Sequence, residues 1–175
     1  LDQGSTPACT GFSVAHEAIA RPMVVPNVTR ATALALYKRA QKLDEWPGEN
    51  YDGSSVLAAI KAGAEKGWYP EYRWATTEAD LALAVGYKGP AVLGVTWYDG
   101  MYEADAKGLI QVSGSVLGGH AILCNGINIK AGLYRLHNSW GLGWGVKGDC
   151  FISRKDMARL LAEDGEACIP VKRAK

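Results

Sequence analysis

The segment 138–145 reads Asn-Ser-Trp-Gly-Leu-Gly-Trp-Gly, and it constrains the fold more than any other part of the chain. Three glycines in eight positions favour a tight turn, and two tryptophans supply aromatic packing. Taken alone, this pattern fits a structural turn as well as a functional one. The functional interpretation requires a partner, because the Asn138 amide oxygen is useful in catalysis when it fixes the tautomer of a histidine.

The chain contains only three histidines, so the search for that partner is short. His120 opens an apolar run after two glycines, where a side chain can face a cleft while the following residues enter a core. His137 precedes Asn138 in a predicted strand, and strand alternation puts their side chains on opposite faces. His16 lies on a predicted helix near the start of the chain. We therefore predict His120 as the partner of Asn138, and surface or packing roles for His16 and His137.

Cys9 follows a polar turn and begins an apolar segment that predicts a helix. A thiol in the first turn of a helix lies at the positive end of the dipole, which lowers its pKa and favours the thiolate. The alternative is an inert cysteine at a helix start. Cys124 stands in an apolar run and is predicted to lie in the core. Cys150 and Cys168 occupy two late apolar segments that could be neighbouring strands, so a disulfide and two free thiols both remain open.

Helical periodicity dominates the first half of the sequence and short β-rich runs dominate the second. The predicted helices cover 9–20, 29–43, 56–64 after Ser54 or Ser55, a short segment from Thr77 to Leu83, and a last one from Ser153. The predicted strands cover 91–97, 109–112, 120–126, 132–138 and 167–171. This pattern predicts a helical lobe over 1–75 and a β-rich lobe over 76–175, with a site assembled between them.

Charge and hydropathy exclude several classes of protein. Nineteen basic and eighteen acidic residues leave a formal charge of +1, without the basic excess that nucleic-acid binding requires. No apolar run approaches the roughly 20 residues of a membrane helix, so we expect a soluble chain with no membrane partner. No Cys-x-x-Cys pair indicates a metal site. Because the chain starts at Leu1 and reaches a candidate motif within ten residues, we expect an upstream segment, such as a propeptide, before it.

Three segments together resemble the papain family of cysteine peptidases. They are Gln-Gly-Ser-x-x-x-Cys-x-x-Phe-Ser at 3–13, Gly-His-Ala at 119–121, and Asn-Ser-Trp-Gly-x-Gly-Trp-Gly at 138–145. The order Cys, His, Asn also matches, and the resemblance spans nearly the whole chain. It implies an α+β fold of two lobes, with a helical left lobe, a twisted antiparallel β half-barrel as the right lobe, and the active site in the cleft between them.

The resemblance also implies a role for each residue of the site. Cys9 would be the nucleophile, His120 the general base and then the acid, Asn138 the orienting residue and Gln3 the oxyanion-hole side chain. The implied activity is that of an endopeptidase, which hydrolyses a protein or peptide substrate through a thioester and needs no cofactor or metal. Two alternatives remain: acyl transfer to another acceptor, such as transpeptidation, and a binding module that has lost catalysis.

By the same resemblance, seven residues contact substrate. They are Gly53, Ser54, Ser55, Gly118, Gly119, Ala121 and Trp140. Trp140 would also shield the His120–Asn138 hydrogen bond from water, which strengthens it. The small side chains at 55, 118, 119 and 121 predict a roomy, uncharged pocket for the residue that precedes the cleaved one.

The sequence departs from the family pattern at several positions. Thr6 stands where many relatives carry a disulfide cysteine, Thr10 where a tryptophan usually follows the nucleophile, and Gly119 where Asp or Asn is common. The spacing of 111 residues between Cys9 and His120 is shorter than the roughly 130–150 typical of the family. These trimmed features resemble bacterial or phage members. We therefore favour a bacterial cytoplasmic or phage-associated protein, with secretion left open.

Overall fold

Three helices occupy the first 65 residues, and a six-stranded sheet with two further helices follows. The computed structural model describes residues 1–46 and 51–171. The helices are α1 (Cys9–Ile19), α2 (Arg30–Ala40), α3 (Val56–Glu65), α4 (Glu78–Tyr87) and α5 (Arg154–Ala162), with a short 3-10 turn at Asp99–Met101. The strands are β1 (Glu71–Ala75), β2 (Ala91–Tyr98), β3 (Val116–Asn128), β4 (Leu133–His137), β5 (Asp149–Ser153) and β6 (Glu166–Val171).

Hydroxyl side chains cap the starts of four helices, because the first backbone N–H groups of a helix have no partner within it. Ser55 accepts from the Ala58 amide at 3.1 Å, as one of the two predicted caps of α3. The other caps follow the same pattern and are Thr29 for α2, Thr77 for α4 and Ser153 for α5. Helix α1 begins at Cys9 without a side-chain cap, so its first amides stay available near the thiol.

The longest of these helices have eleven residues, which is about half of what a bilayer requires. Among residues 1–46 and 51–171, no helix has the length and apolar character needed to span a membrane.

The sheet is antiparallel throughout, in the order β1-β6-β2-β3-β4-β5. Strand β6 is therefore inserted between β1 and β2, whereas β5 lies at the opposite edge. Cys150 on β5 pairs with Leu136, while Cys168 on β6 pairs with Trp74 and Val92. These two cysteines therefore do not lie on neighbouring strands, and of the two possibilities left open by the sequence the structure has free thiols, as it has at all four cysteines.

Two further differences between the predicted and the observed structure concern strands. The predicted strand over 109–112 is extended chain with a single isolated bridge, from Leu109 to Phe151. Strand β1 was not predicted, because its polar and aromatic residues lack a clear alternation. It pairs with β6 although it falls within 1–75, the range predicted for the helical lobe. The division at residue 75 stays a prediction, and residues 172–175 of the second range lie outside the described chain.

Each lobe has its own hydrophobic core. Helices α1, α2 and α3 bury one core, to which the sheet contributes Val92, Leu123 and Cys168. The opposite face of the sheet packs against α4 and α5 in the second core. Gly11 allows α1 to approach α2 closely, since a Cβ there would collide with the Ala33 carbonyl oxygen. This close approach fixes the position of α1, and therefore of Cys9, relative to α2.

Candidate active site

Cys9 is the first residue of α1, as predicted, and its thiol is free and partly exposed. Burial raises the pKa of this thiol, and the backbone amides of Ala121, Thr10 and Cys9 itself act in the opposite direction. The expectation of a lowered pKa was therefore wrong for the isolated thiol, because desolvation outweighs the helix start. The amide of Ala121 matters for another reason: it places the thiol beside the residue that follows His120.

His120 and Asn138 form the central hydrogen bond of the site. The Nε2 atom of His120, on β3, lies 2.9 Å from the Oδ1 atom of Asn138, which follows directly after β4. The Ser139 backbone N–H donates to the same Oδ1 at 2.8 Å. Because an N–H can only donate, the atom facing it is the amide oxygen and not the nitrogen. The His120 Nε2 therefore carries the proton, and its Nδ1 holds a lone pair.

Two tryptophans enclose the His120 ring. Its centroid lies 4.7 Å from that of Trp97 and 4.9 Å from that of Trp140. The side chain is only 8% exposed, and this burial lowers the pKa of His120 to about 4, while the bond to Asn138 raises it. Trp140 lies against the imidazole, as the shielding role requires. Trp97 was missed, because nothing in its strand distinguishes it from an ordinary core residue.

Two hydrogen bonds join Gln3 to Ser139, and a third holds its side-chain amide nitrogen. The Gln3 Oε1 atom accepts from the Ser139 hydroxyl at 2.6 Å, and the Gln3 backbone N–H donates to the Ser139 carbonyl at 2.9 Å. Its Nε2 donates to the Thr6 carbonyl at 2.8 Å. A primary amide has two N–H donors, so one is left for another acceptor. Ser139 was missed as a site residue, and its place next to Asn138 was the available signal.

A cleft of about 840 Å³ contains Cys9 and His120 together, with residues of both lobes in its walls. Five of the predicted substrate-binding residues line it: Gly53, Ser54, Ser55, Gly119 and Ala121. Gly118 and Trp140 lie outside this lining. Gly118 pairs with Trp97, beyond the section of β2 that faces the cleft, and Trp140 lies against the imidazole ring. Substrate contact by these two residues stays a prediction.

The predicted pocket is not uncharged. Glu166, at the start of β6, lines the same cleft as Ser55 and Ala121 and is about half-buried. The expectation of an uncharged pocket was wrong, because it considered only residues near the motifs. Glu166 is more than forty residues from His120 in the sequence, and only the insertion of β6 beside β2 brings it to the site.

No model of a known protein family matches this sequence, and no curated protein matches it. Solved structures do match its fold. Xylellain, a cysteine protease from Xylella fastidiosa, aligns with a TM-score of 0.78 at 18% identity, over 99% of this chain and 82% of that one. Digestive procathepsin L 3 from Tenebrio molitor larval midgut aligns with a TM-score of 0.67 at 18% identity, over 97% of this chain and 65% of that one.

The bromelain protease from Ananas comosus, in complex with the E64 inhibitor, aligns with a TM-score of 0.65 at 17% identity, over 98% of this chain and 92% of that one. At such low identity, these similarities establish the fold and nothing further. The chain has the fold of the papain-like cysteine proteases, and the predicted α+β class is confirmed.

Proposed function

We propose that this protein is a cysteine peptidase that hydrolyses peptide bonds through a thioester formed on Cys9. His120 acts as its base and acid, Asn138 orients the imidazole, and Gln3 binds the oxyanion. One observation carries the proposal: His120, whose Nε2 lies 2.9 Å from the Oδ1 atom of Asn138, lines the same cleft as Cys9. The shared fold with cysteine proteases supports it.

The tautomer of His120 gives the first chemical step. Since Nε2–H donates to Asn138, the Nδ1 lone pair is free to accept the thiol proton from Cys9. Burial disfavours a lone charge on either group, as the directions of both pKa shifts indicate. A thiolate and an imidazolium about 4 Å apart attract each other by about 4 kcal/mol at an effective dielectric constant near 20. The two charges are therefore expected to appear together, by proton transfer inside the pair.

Hydrogen-bond donors at the start of α1 and on Gln3 are suited to the next step. Attack of the Cys9 sulfur on a peptide carbonyl carbon forms the S–C bond and moves an electron pair onto the carbonyl oxygen. The remaining N–H of the Gln3 amide and the uncapped first amide of α1 can donate to that oxygen. Donors of this kind stabilise the transition state because they are already oriented before charge develops.

The same imidazole completes the reaction. The imidazolium gives its Nδ1 proton to the leaving amine nitrogen as the C–N bond breaks, which leaves a thioester on Cys9. His120 Nδ1 then takes a proton from water, whose oxygen attacks the thioester carbon. Collapse of that intermediate releases the carboxylic acid and returns the proton to the sulfur. Atoms and protons balance over the cycle, and no cofactor is required.

Thiol alkylation and peptide hydrolysis test the proposal together. The wild-type protein is expected to react with iodoacetamide at Cys9 at mildly acidic pH, and the His120→Ala variant is expected to lose that reactivity. Both the Cys9→Ala and the His120→Ala variants should fail to cleave a fluorogenic peptide. Equal slow alkylation of wild type and His120→Ala, with no cleavage by either, would indicate a binding module. Added amine acceptors that capture most of the acyl group would indicate a transferase.

A further inference from the structure

Arg30, the first residue of α2, occupies a position where a basic side chain is unfavourable for the helix itself. The partial positive charge at a helix start favours Asp or Glu in the first turn and opposes a cation there. Helix α2 has no acidic residue in its first turn, and the capping box formed by Thr29 and Thr32 already caps it. The stability of α2 therefore does not explain an arginine at this position.

The Arg30 guanidinium instead binds the backbone of the segment that carries Gln3. Its Nε donates to the Asp2 carbonyl at 3.0 Å, and its Nη2 donates to the Gln3 carbonyl at 3.2 Å. One planar edge of the guanidinium thus holds two consecutive carbonyl oxygens, and a charged donor makes stronger hydrogen bonds than a neutral one. Among the ion pairs of residues 1–46 and 51–171, none includes Arg30.

Gln3 is therefore held from two directions. Ser139, which follows β4 and Asn138, bonds both the backbone and the side chain of Gln3. Arg30 bonds its carbonyl oxygen from the helical side. The contact with Ser139 fixes Gln3 relative to the sheet, whereas the contact with Arg30 fixes it relative to α2.

Helix α2 is in turn fixed to the helix that begins with the nucleophile. Gly11 on α1 lies so close to α2 that a Cβ atom there would collide with the carbonyl oxygen of Ala33, one turn after Arg30. Arg30 thus connects Gln3 to α1, whose first residue is Cys9. This connection matters for catalysis, because a misplacement of about 1 Å in a reacting geometry can cost about 100-fold in rate.

We propose that Arg30 is a positioning residue that holds the oxyanion-binding amide of Gln3 in place relative to Cys9. The inference rests on the proposed function and adds to it a residue that need not touch the substrate. Without the guanidinium, the Asp2 and Gln3 carbonyls bond to water, and the segment loses both bonds to α2. The Gln3 amide then samples more orientations, so it is no longer fixed before charge develops on the substrate oxygen.

Steady-state kinetics of the Arg30→Met variant test this role. Methionine keeps an unbranched side chain and removes all five N–H donors. We expect about a tenfold loss of kcat with KM unchanged within about twofold, because the donor acts in the transition state. The matched control is Arg39→Met, which removes another arginine of α2 with its 2.7 Å ion pair to Glu65 and should keep the wild-type kcat. A wild-type kcat in Arg30→Met would overturn the proposal.

A double-mutant cycle distinguishes positioning of Gln3 from a general structural role. If Arg30 acts through the Gln3 amide, Arg30→Met should reduce kcat less than about twofold in the Gln3→Ala background. Equal factors in both backgrounds would reject the proposal. Circular dichroism checks that each variant is folded at the assay temperature. Arg30→Lys, which keeps the charge and loses the planar pair of donors, takes the place of Arg30→Met in the cycle if the latter is unfolded.

Nuclear magnetic resonance separates this inference from the proposed function. In protein labelled with ¹⁵N-glutamine, the side-chain amide signal of Gln3 is the one that is absent in Gln3→Ala, and its heteronuclear NOE reports its order on the ps–ns timescale. A lower NOE in Arg30→Met than in wild type would support the positioning role even if the wild-type protein cleaved no peptide. Cleavage by wild type, with kcat and NOE both unchanged in Arg30→Met, would leave the peptidase proposal standing and reject the role of Arg30.

Discussion

Two buried histidines contact neighbouring residues at the end of β4, one contacting Asn138 and the other His137. His120 bonds to Asn138 on one side, and His16 on α1 stacks edge-on against His137 on the other, with 4.6 Å between ring centroids. Burial lowers the pKa of both, to about 4 for His120 and about 3 for His16. His137 in turn contacts Asp149 at 2.6 Å.

The two environments differ in partner and in access. His120 has an amide oxygen that fixes its tautomer, and it lines the cleft. The ring nitrogens of His16 make no well-formed hydrogen bond within the described residues, although a weak interaction with the Leu1 backbone slightly raises its pKa, and His16 does not line that cleft. The described residues also contain no group of three or more His, Cys, Asp or Glu that could hold a metal. A depressed pKa thus accompanies burial in both cases, and only partner and access distinguish the candidate catalytic residue.

The largest expected effect is on catalysis, and it tests whether His120 differs from the other histidines in function. The Cys9→Ala and His120→Ala variants should each lose at least about 10⁴-fold in kcat/KM, because removing either member of a nucleophile–base pair eliminates covalent catalysis. The matched control is His137→Ala, on the opposite face of the strand. A comparable loss of kcat/KM in His137→Ala would contradict the assignment of the catalytic role to His120 alone among the histidines. Peptide hydrolysis with a single fluorogenic substrate is sufficient to measure all three.

Removal of the Gln3 amide is expected to have the next largest effect. The Gln3→Ala variant should lose about 100- to 1,000-fold in kcat with a small change in KM, since an oxyanion donor acts mainly in the transition state. Ser139→Ala should show a smaller loss in the same direction, because Ser139 holds the Gln3 amide at 2.6 Å and need not touch substrate. A change confined to KM would argue against the oxyanion role.

Substitution of Asn138 tests how the imidazole is oriented. The Asn138→Ala variant should lose about 10- to 100-fold in kcat/KM, by analogy with other residues that orient a functional imidazole. Asn138→Asp keeps an acceptor but adds a negative charge, which favours the imidazolium and raises the pKa of His120. The acid limb of its kcat/KM profile should therefore move to higher pH. An unchanged limb would indicate that another group controls the profile.

The smallest expected effect is on folding stability, and it involves His16. The pKa of His16 is about 3 in the folded protein and near 6.5 when unfolded, so below pH 6.5 the unfolded state binds more protons and stability falls. From pH 7 to pH 5 this costs about 2 kcal/mol. The His16→Leu variant should lack that part of the pH dependence in urea unfolding, while it retains the part due to His120. If the free energy of unfolding fell equally with pH in wild type and His16→Leu, the proposed contribution of His16 would be contradicted.

Local patterns predicted much of this fold. The hydroxyl residues before α3, α4 and α5 are short-range signals, since a cap and the amides it satisfies lie within three residues. The start of α1 at Cys9 follows from the polar turn before it. The side chains of His137 and Asn138, at the end of β4, lie on opposite faces because successive side chains of an extended chain alternate. This too is a short-range signal. The position of His120 at the start of an apolar run, after two glycines, then favoured it over the other two histidines.

Long-range pairing decided what those patterns could not predict. The place of β6 between β1 and β2 separates Cys168 from Cys150 and brings Glu166 into the cleft. No local signal encodes that insertion, because strand order depends on how whole faces of the sheet bury against the helices.

The sequence by itself therefore determined which groups are candidates for catalysis, through the residue types and spacings around Cys9, His120 and Asn138. Only the tertiary structure decided what surrounds them, including the charge of the cleft and the burial that opposes an isolated thiolate. The physical reason is that hydrogen-bonding patterns are short in sequence, whereas desolvation and electrostatic potential sum over every residue that folding brings near.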